Sequence, residues 1–491
     1  MKLKDLLEGV PRLRFNGNQK EEIQGIAYSS KNVQPGFLFA ALKGAKKDGF
    51  EFVEEALLNG AVAFLSERPK PKKITKSWIQ ASDAREALAL CSANFYSQPS
   101  QKMKVVGITG TKGKTTITYL LEEILKKSHF LPGVIGTISY RGPNMKISAE
   151  RTTPEAPDLQ RMLQEMLARG VTHCLIEVSS HSLDLKRVLG IGFDIALFSN
   201  LSGDHLDYHH SMERYFEAKK KLFFLNHKKR MAVINSDDPW GEKLISQLST
   251  GVVTHGLEPG ALVRGEDFKL TEKGIELSVK YPAGKLLVSS PLLGKPNLYN
   301  ILASIAAALT LNIPVSAIKE GIAALQEVPG RFEKIKNSLG LHIFVDYAHT
   351  DDALRNLLET VRELNPKRIL LVFGAGGDRD KTKRARMGEI AGALADWTIL
   401  TSDNPRSEDP LAIISDIEKG IKKSGTKNYK ILPDRKEAIE HALSLGEKGD
   451  YILVAGKGHE NYQIIKDKII PFSDAEVIKK ILKKRSQPEI G

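Results

Sequence analysis

A chain of 491 residues exceeds what one hydrophobic core usually organises and should divide into about three domains. Its 41% hydrophobic and 27% charged residues describe an ordinary globular protein rather than a disordered or fibrous one. The 72 lysines and arginines against 59 acidic residues give +13, which suits anionic small substrates as well as nucleic acid. The basic clusters 68–76 and 479–485 lack the interleaved aromatics on which single strands stack, so no nucleic-acid partner is expected. Two cysteines, Cys91 and Cys174, are too few for a disulfide framework and have no metal-ligand spacing. The first residues lack an apolar signal core, and no run of about 18 apolar residues could span a bilayer. A cytoplasmic protein with no membrane partner, acting as a monomer, is expected.

Residues 1–98 alternate short strands and helices, with Phe37–Ala41 and Ala61–Leu65 strand-like and Phe52–Asn59 helical, which predicts a small α/β domain. Turn residues at 97–100 mark its end. The strand Val105–Thr109 then breaks into Gly110-Thr111-Lys112-Gly113-Lys114-Thr115-Thr116, and Ile117, Leu120, Leu121, Ile124 and Leu125 follow at helical spacing. Strand, glycine loop and helix in that order cradle phosphate: the glycines admit backbone N–H groups to the anion, Lys114 adds a charge, and the Thr115 hydroxyl can hold Mg²⁺. The strict spacing would put glycine at position 108, where this chain has Ile108, so the loop is a variant. Further strands at Cys174–Val178, Ile195–Phe198 and Met231–Ile234, and an alanine-rich helix at Asn300–Leu311, predict a doubly wound, mostly parallel sheet over 99–330.

Pro329-Gly330 marks a second boundary. Over 331–491, strands at 343–345, 369–373, 398–401 and 451–454 each run into a charged loop, the pattern of a Rossmann-like ligand site. The fold class read from the chain is therefore α/β in three domains: 1–98, 99–330 and 331–491.

Glu177 lies on an otherwise apolar strand, so its carboxylate must be paired, protonated or metal-bound. The segment Ser199–His209 follows another strand and packs Asp204, His205 and Asp207 into four positions, leaving His205 open between ligand and ordinary surface histidine. Lys219 belongs to a basic helical run, 215–223, whose spacing alone describes a solvated face. In Asp403-Asn404-Pro405-Arg406 a carboxylate, an amide and a guanidinium share one turn, and Glu460 ends a glycine loop. Arginine grips a carboxylate and glutamate an ammonium, so a zwitterionic amino acid would satisfy both; a loop-stabilising Arg–Glu pair is the alternative.

Taken in order, the loop 109–116, Thr152-Thr153-Pro154, Glu177–His181, Asp204–His209, Asn297–Asn300, Pro329–Arg331, Asp346–His349, Gly376–Arg379, Asp403–Arg406 and Gly456–Glu460 resemble the Mur ligase family nearly end to end. The resemblance implies ATP-dependent addition of meso-diaminopimelate to UDP-MurNAc-L-Ala-D-Glu through an acyl phosphate, in peptidoglycan precursor synthesis. It implies Lys114, Lys219 and His205 as catalytic residues, and Thr115, Glu177, His205 and a carbamylated Lys219 around Mg²⁺. ATP would be held by residues 110–116 with Asn300, Arg331 and Asp346. Ser30, Ala45, Lys46, Lys47, Thr152, Thr153, Ser179 and Arg187 would hold the UDP-linked peptide. Diaminopimelate would meet Arg379, Asp403, Asn404, Pro405, Arg406, Gly456 and Glu460. The chain departs from the family pattern at Lys112 (usually Asn), Leu185 (usually polar), Gly203 (usually Arg) and Asp351 (usually Pro). L-lysine or another diamino acid as the added substrate, and a folylpolyglutamate-synthase-like ligase, are the rival readings.

Overall fold

The computed structural model describes residues 1–44, 47–225, 231–249 and 251–485. By contacts the chain forms two compact units, each assembled from interleaved segments: 1–201, 213–262 and 303–321 in the first, 202–212, 263–302 and 322–491 in the second.

The first unit carries two sheets. The smaller has the order Leu13–Asn16, Ser77–Ala81, Ala63–Ser66, Phe37–Ala40, Gly25–Ala27, with only the first pair antiparallel. Its alternation sorts Leu38, Ala40 and Leu65 into one apolar cluster and Phe39, Ala41 and Phe64 into the other, so both faces are covered. The larger places Val252–Gly256, Met231–Asn235, Ile195–Phe198, Lys104–Thr109, His173–Glu177 and Pro132–Ile135 side by side and parallel, then turns antiparallel through Ser139–Gly142 and Met145–Ser148. Continuous apolar runs such as Ile195–Phe198, buried throughout, suit strands covered on both faces. Register sets the site: Glu177 lies beside Ile108 and Phe198 beside Thr109, so three neighbouring strands end together at the glycine loop.

The second unit contains an antiparallel meander, Val263–Thr271, Gly274–Tyr281 and Gly284–Ser290. This departs from the strand–helix alternation expected over 99–330. The signal was present as period-two burial in Gly284–Ser290 and glycine turns at Gly274 and Gly284, both with positive φ. The same unit holds a six-stranded sheet in the order Glu333–Ile335, His342–Asp346, Tyr451–Ala455, Ile369–Phe373, Trp397–Leu400, Tyr429–Ile431, parallel but for the first pair. Ile343 and Val345 enter one apolar cluster and Phe344 the other, again covering both faces. A short hairpin, Tyr462–Ile465 with Lys468–Pro471, follows the last of its central strands.

Candidate active site

In the first unit the loop 110–113 joins the strand Lys104–Thr109 to the helix Lys114–Lys127. Gly110 and Gly113 adopt φ of +142° and +88°, and a Cβ at Gly110 would collide with the Ser199 hydroxyl. Asn200 staples the loop, its carbonyl taking the Thr111 N–H at 2.9 Å and its Oδ1 the Lys112 N–H at 2.9 Å. The Lys114 ammonium folds back onto the Gly110 and Thr111 carbonyls at 2.8 and 2.9 Å.

Glu177, 1% exposed, answers the question its sequence position raised: its partners are hydroxyls and a backbone amide. Oε2 accepts from Thr115 Oγ1 at 3.0 Å and Thr137 Oγ1 at 2.8 Å, and Oε1 from the Thr137 N–H at 3.0 Å. Thr137 Oγ1 lies 3.1 Å from Thr152 Oγ1, and Thr153 Oγ1 donates to the Glu177 carbonyl at 2.7 Å. Ser179 caps the next helical turn by accepting from the Ser182 N–H. Arg187 donates to the Thr153 carbonyl at 3.1 Å. The structure thus brings Thr115, Glu177, Thr152, Thr153, Ser179 and Arg187 into one network. Thr137, which joins its halves, was missed, because a threonine after a glycine turn carries no sequence signal.

Arg187 also pairs with Glu155 at 2.9 Å, and Arg151 and Arg85 reach the same carboxylate at 3.0 and 3.7 Å. Burial first, and then Arg151 and Arg85, hold the Arg187 guanidinium below its ordinary range, against the pull of Glu155.

Lys219 is the clearest correction to the sequence reading. It is 1% exposed, not on a solvated face, and its Nζ donates to the Gly110 carbonyl at 2.8 Å and stands 4.6 Å from the Tyr215 ring centroid. Tyr215 OH is itself 3.2 Å from Thr111 Oγ1. Ser30, 6% exposed, donates to Glu55 at 2.9 Å, and Lys47 lies over the Phe52 ring at 5.7 Å. Ala45 and Lys46 lie outside the described residues.

In the second unit, His205 has φ +55° and its Nε2 is 3.6 Å from Asp204 Oδ2. Asn300 donates to Asn297 Oδ1 at 3.0 Å. The Asp346 carboxylate accepts the Phe332 and Ala348 N–H groups at 2.7 and 2.8 Å. The Arg331 guanidinium stacks 4.6 Å from the Tyr347 ring centroid, with Nε buried and without a hydrogen bond among the described residues. Lys383, which the sequence did not single out, is held below its ordinary range by burial, against the raising pull of Asp204.

The Asp403–Arg406 turn sits at the end of the strand Trp397–Leu400, with Asp403 and Asn404 only 6% and 3% exposed. Arg406, at φ +54°, donates to the Gly377 carbonyl at 2.7 Å. Glu460 Oε2 accepts from Asn404 Nδ2 at 2.8 Å and pairs with the fully buried Lys457 at 3.1 Å. Gly456 has φ +111°, and a Cβ there would meet Asp403 Oδ2 at 2.6 Å. Arg379 is exposed. Arg406 and Glu460 therefore each take other partners rather than serving as a simple loop-stabilising pair.

A glycine loop on parallel strands that opens a helix is the arrangement of a nucleotide-binding enzyme, and a separate strand-end turn groups a carboxylate, an amide and a guanidinium. Family models for the Mur ligase family catalytic domain, the Mur ligase middle domain and the Mur ligase glutamate ligase domain match residues 22–96, 108–308 and 330–458. The chain is 45% identical to UDP-N-acetylmuramoyl-L-alanyl-D-glutamate–2,6-diaminopimelate ligase of Caldanaerobacter subterraneus subsp. tengcongensis, over 98% of this chain and 99% of that one. It is 42% identical to the ligase of the same name from Solibacter usitatus, over 98% of each chain. A solved structure of a ligase of that name superposes with a TM-score of 0.70 at 32% identity, covering 99% of both chains. A MurF ligase from Thermotoga maritima in complex with ADP, 22% identical, shares the fold, with a TM-score of 0.66 over 94% of this chain and 98% of that one. The chain belongs to the Mur ligase family and is an ATP-dependent ligase.

Proposed function

We propose that this ligase joins meso-diaminopimelate to the D-glutamyl γ-carboxylate of UDP-MurNAc-L-Ala-D-Glu in peptidoglycan precursor synthesis. The observation that carries the reading is the continuous chain Thr115–Glu177–Thr137–Thr152, which links the nucleotide loop to the threonines assigned to the peptide. Full-length similarity to ligases named for this reaction supports it. Three functional segments go with it: 1–98 for the UDP-sugar, 99–330 for ATP, 331–491 for the amino acid.

In the first step the γ-phosphoryl of ATP passes to a carboxylate oxygen and ADP leaves. In the second the amine attacks the acyl carbon, inorganic phosphate leaves and the nitrogen loses a proton. Lys114 neutralises charge gathering on the transferring phosphoryl, and His205 lies on the loop assigned to the same work. Thr152, Thr153, Ser179 and Arg187 orient the acceptor peptide, and Ser30 with the 45–47 loop holds its uridine end. Asn300, Arg331 and Asp346 hold the nucleoside. Arg379, the 403–406 turn, Gly456 and Glu460 receive the zwitterion.

Thr115 and Glu177 offer oxygens of the kind a hard cation takes, in a buried setting, and the proposed set adds His205 and a carbamylated Lys219; among the described residues no three His, Cys, Asp or Glu side chains already stand together as a metal site. Mg²⁺ bound there would supply charge stabilisation for phosphoryl transfer. Carbamylation would replace the Lys219 cation, held at a phosphate loop, with an anion able to ligate metal. Among the described residues no helix is long and apolar enough to cross a membrane. The proposed reading is of a cytoplasmic monomer acting on small molecules.

The test is phosphate release by purified protein with ATP and UDP-MurNAc-L-Ala-D-Glu, offering diaminopimelate, lysine or ornithine in turn. Release dependent on diaminopimelate is expected. Release dependent on lysine would move the assignment to a different amino acid, and release with a folate acceptor would overturn it.

A further inference from the structure

Four hydrogen bonds tie the hairpin strand Tyr462–Ile465 and the residue after it to the 403–406 turn. Gln463, 8% exposed, donates from Nε2 to the Asp403 carbonyl at 2.9 Å. The Ile464 N–H donates to Asn404 Oδ1 at 2.9 Å. The Arg406 N–H donates to the Ile464 carbonyl at 3.0 Å, and the Lys466 N–H to the Arg406 carbonyl at 2.7 Å. Arg406 and Ile465 register as a parallel bridge, so the strand extends the turn as a one-residue sheet.

These contacts determine what the turn presents. A non-glycine residue at φ +54° is disfavoured by its own Cβ, and Arg406 is kept there by backbone bonds on both sides. Asn404 Oδ1 is occupied by the Ile464 N–H, and Lys457 Nζ lies 3.4 Å away, which leaves Nδ2 to face Glu460. The guanidinium expected to take a carboxylate and the carboxylate expected to take an ammonium are thus both indexed to one strand. Gln463 is the hairpin's own side chain in that set of four bonds, the other hairpin partners being backbone groups, and it grips the first residue of the turn.

We propose that Gln463 is a positioning residue for the incoming amino acid, setting the 403–406 turn so that its polar groups match both ends of a zwitterion; this rests on the assignment of that turn to the amino-acid substrate. It touches no substrate itself. Removing its amide leaves the Asp403 carbonyl without this donor and frees the turn to shift, which weakens recognition without altering the phosphate loop.

The experiment is steady-state ligation by the full-length protein with Gln463→Met and Gln463→Asn, varying ATP, the UDP-linked peptide and the amino acid separately. Both variants should raise KM for the amino acid about tenfold, leave the other two KM values within about twofold and keep kcat within about threefold. The Asn variant, one methylene shorter, guards against a folding defect in the Met variant. An unchanged amino-acid KM in a folded variant, or a parallel rise in all three KM values, would overturn the proposal. If the wild type proves to use lysine, the proposed substrate is wrong but the same split, read on lysine, still decides the role of Gln463.

Discussion

Lys114 and Lys219 share an acceptor: each ammonium donates to the Gly110 carbonyl at 2.8 Å, one from the start of the loop's own helix and the other from a helix far along the chain. Two cations converging on one backbone oxygen create a place where an anion is welcome, and where conversion of one cation to an anion changes the local balance by two charges.

Lys114→Ala should lower ATP-dependent ligation by about 10³-fold or more if, as proposed, the lysine's charge acts on the transferring phosphoryl. Phosphate release is the measurement. Near wild-type turnover in a folded variant would show that the loop has been assigned the wrong task.

Lys219→Ala should be almost inactive, while alanine at the half-exposed Lys220 or the exposed Lys221 should have little effect. Acetate or formate at high concentration should restore part of the activity by supplying a carboxylate. Intact mass measured in bicarbonate reads the carbamate directly, and an unmodified, freely substitutable lysine would remove this role.

Arg406→Ala should cost most of the activity with diaminopimelate and narrow its lead over lysine, with ATP binding unchanged. A site built around a buried polar contact rejects an analogue lacking the matching group by about 10⁴–10⁵, so the wild-type preference should be large. Matched-concentration ligation rates test this, and an Arg406 variant with full discrimination contradicts it.

His255 gives the fold a pH dependence separate from catalysis. Burial holds its imidazole down at about 4, although Asp237 pulls upward, whereas the unfolded chain protonates near 6.5. The stability from keeping it neutral is complete above pH 6.5, drains as pH falls, and is gone below about 4. Between pH 7.5 and 5 the loss should be about 2 kcal/mol. Denaturant unfolding of wild type and His255→Leu at both pH values should show a smaller pH difference in the variant; equal differences would exclude the histidine as the cause.

Much of the framework was legible in the residues because it is written locally. Ile195–Phe198 and Ile369–Phe373 are unbroken apolar runs, and both strands have the bounds the sequence suggested. The glycine loop announced itself through spacing and the following helix. What stayed hidden was whatever depends on a distant partner. Lys219 reads as one of several lysines until a tertiary fold buries it against Gly110, 109 residues away. Thr137 matters only because Glu177 arrives beside it from another strand. Gln463 and Lys457 gain their meaning from the 403–406 turn. The meander over 263–290 is a different kind of miss, since its alternation was present and the expectation of a helix between strands outweighed it.

The crowding at Glu155 makes this part of the enzyme a source of long-range field. Arg85, Arg151 and Arg187 meet a single carboxylate, so within that cluster two positive charges stand in excess. Such an imbalance reaches out through solvent for roughly 8 Å at physiological ionic strength and much farther in dilute buffer. Capture of a multiply anionic sugar nucleotide should therefore slow as salt is raised, while a neutral competitor would not feel the change. Arg187, proposed to orient the peptide, and its two arginine neighbours would also help collect it, and the kinetic trace of that collection is a dependence on ionic strength in the second-order rate rather than in turnover.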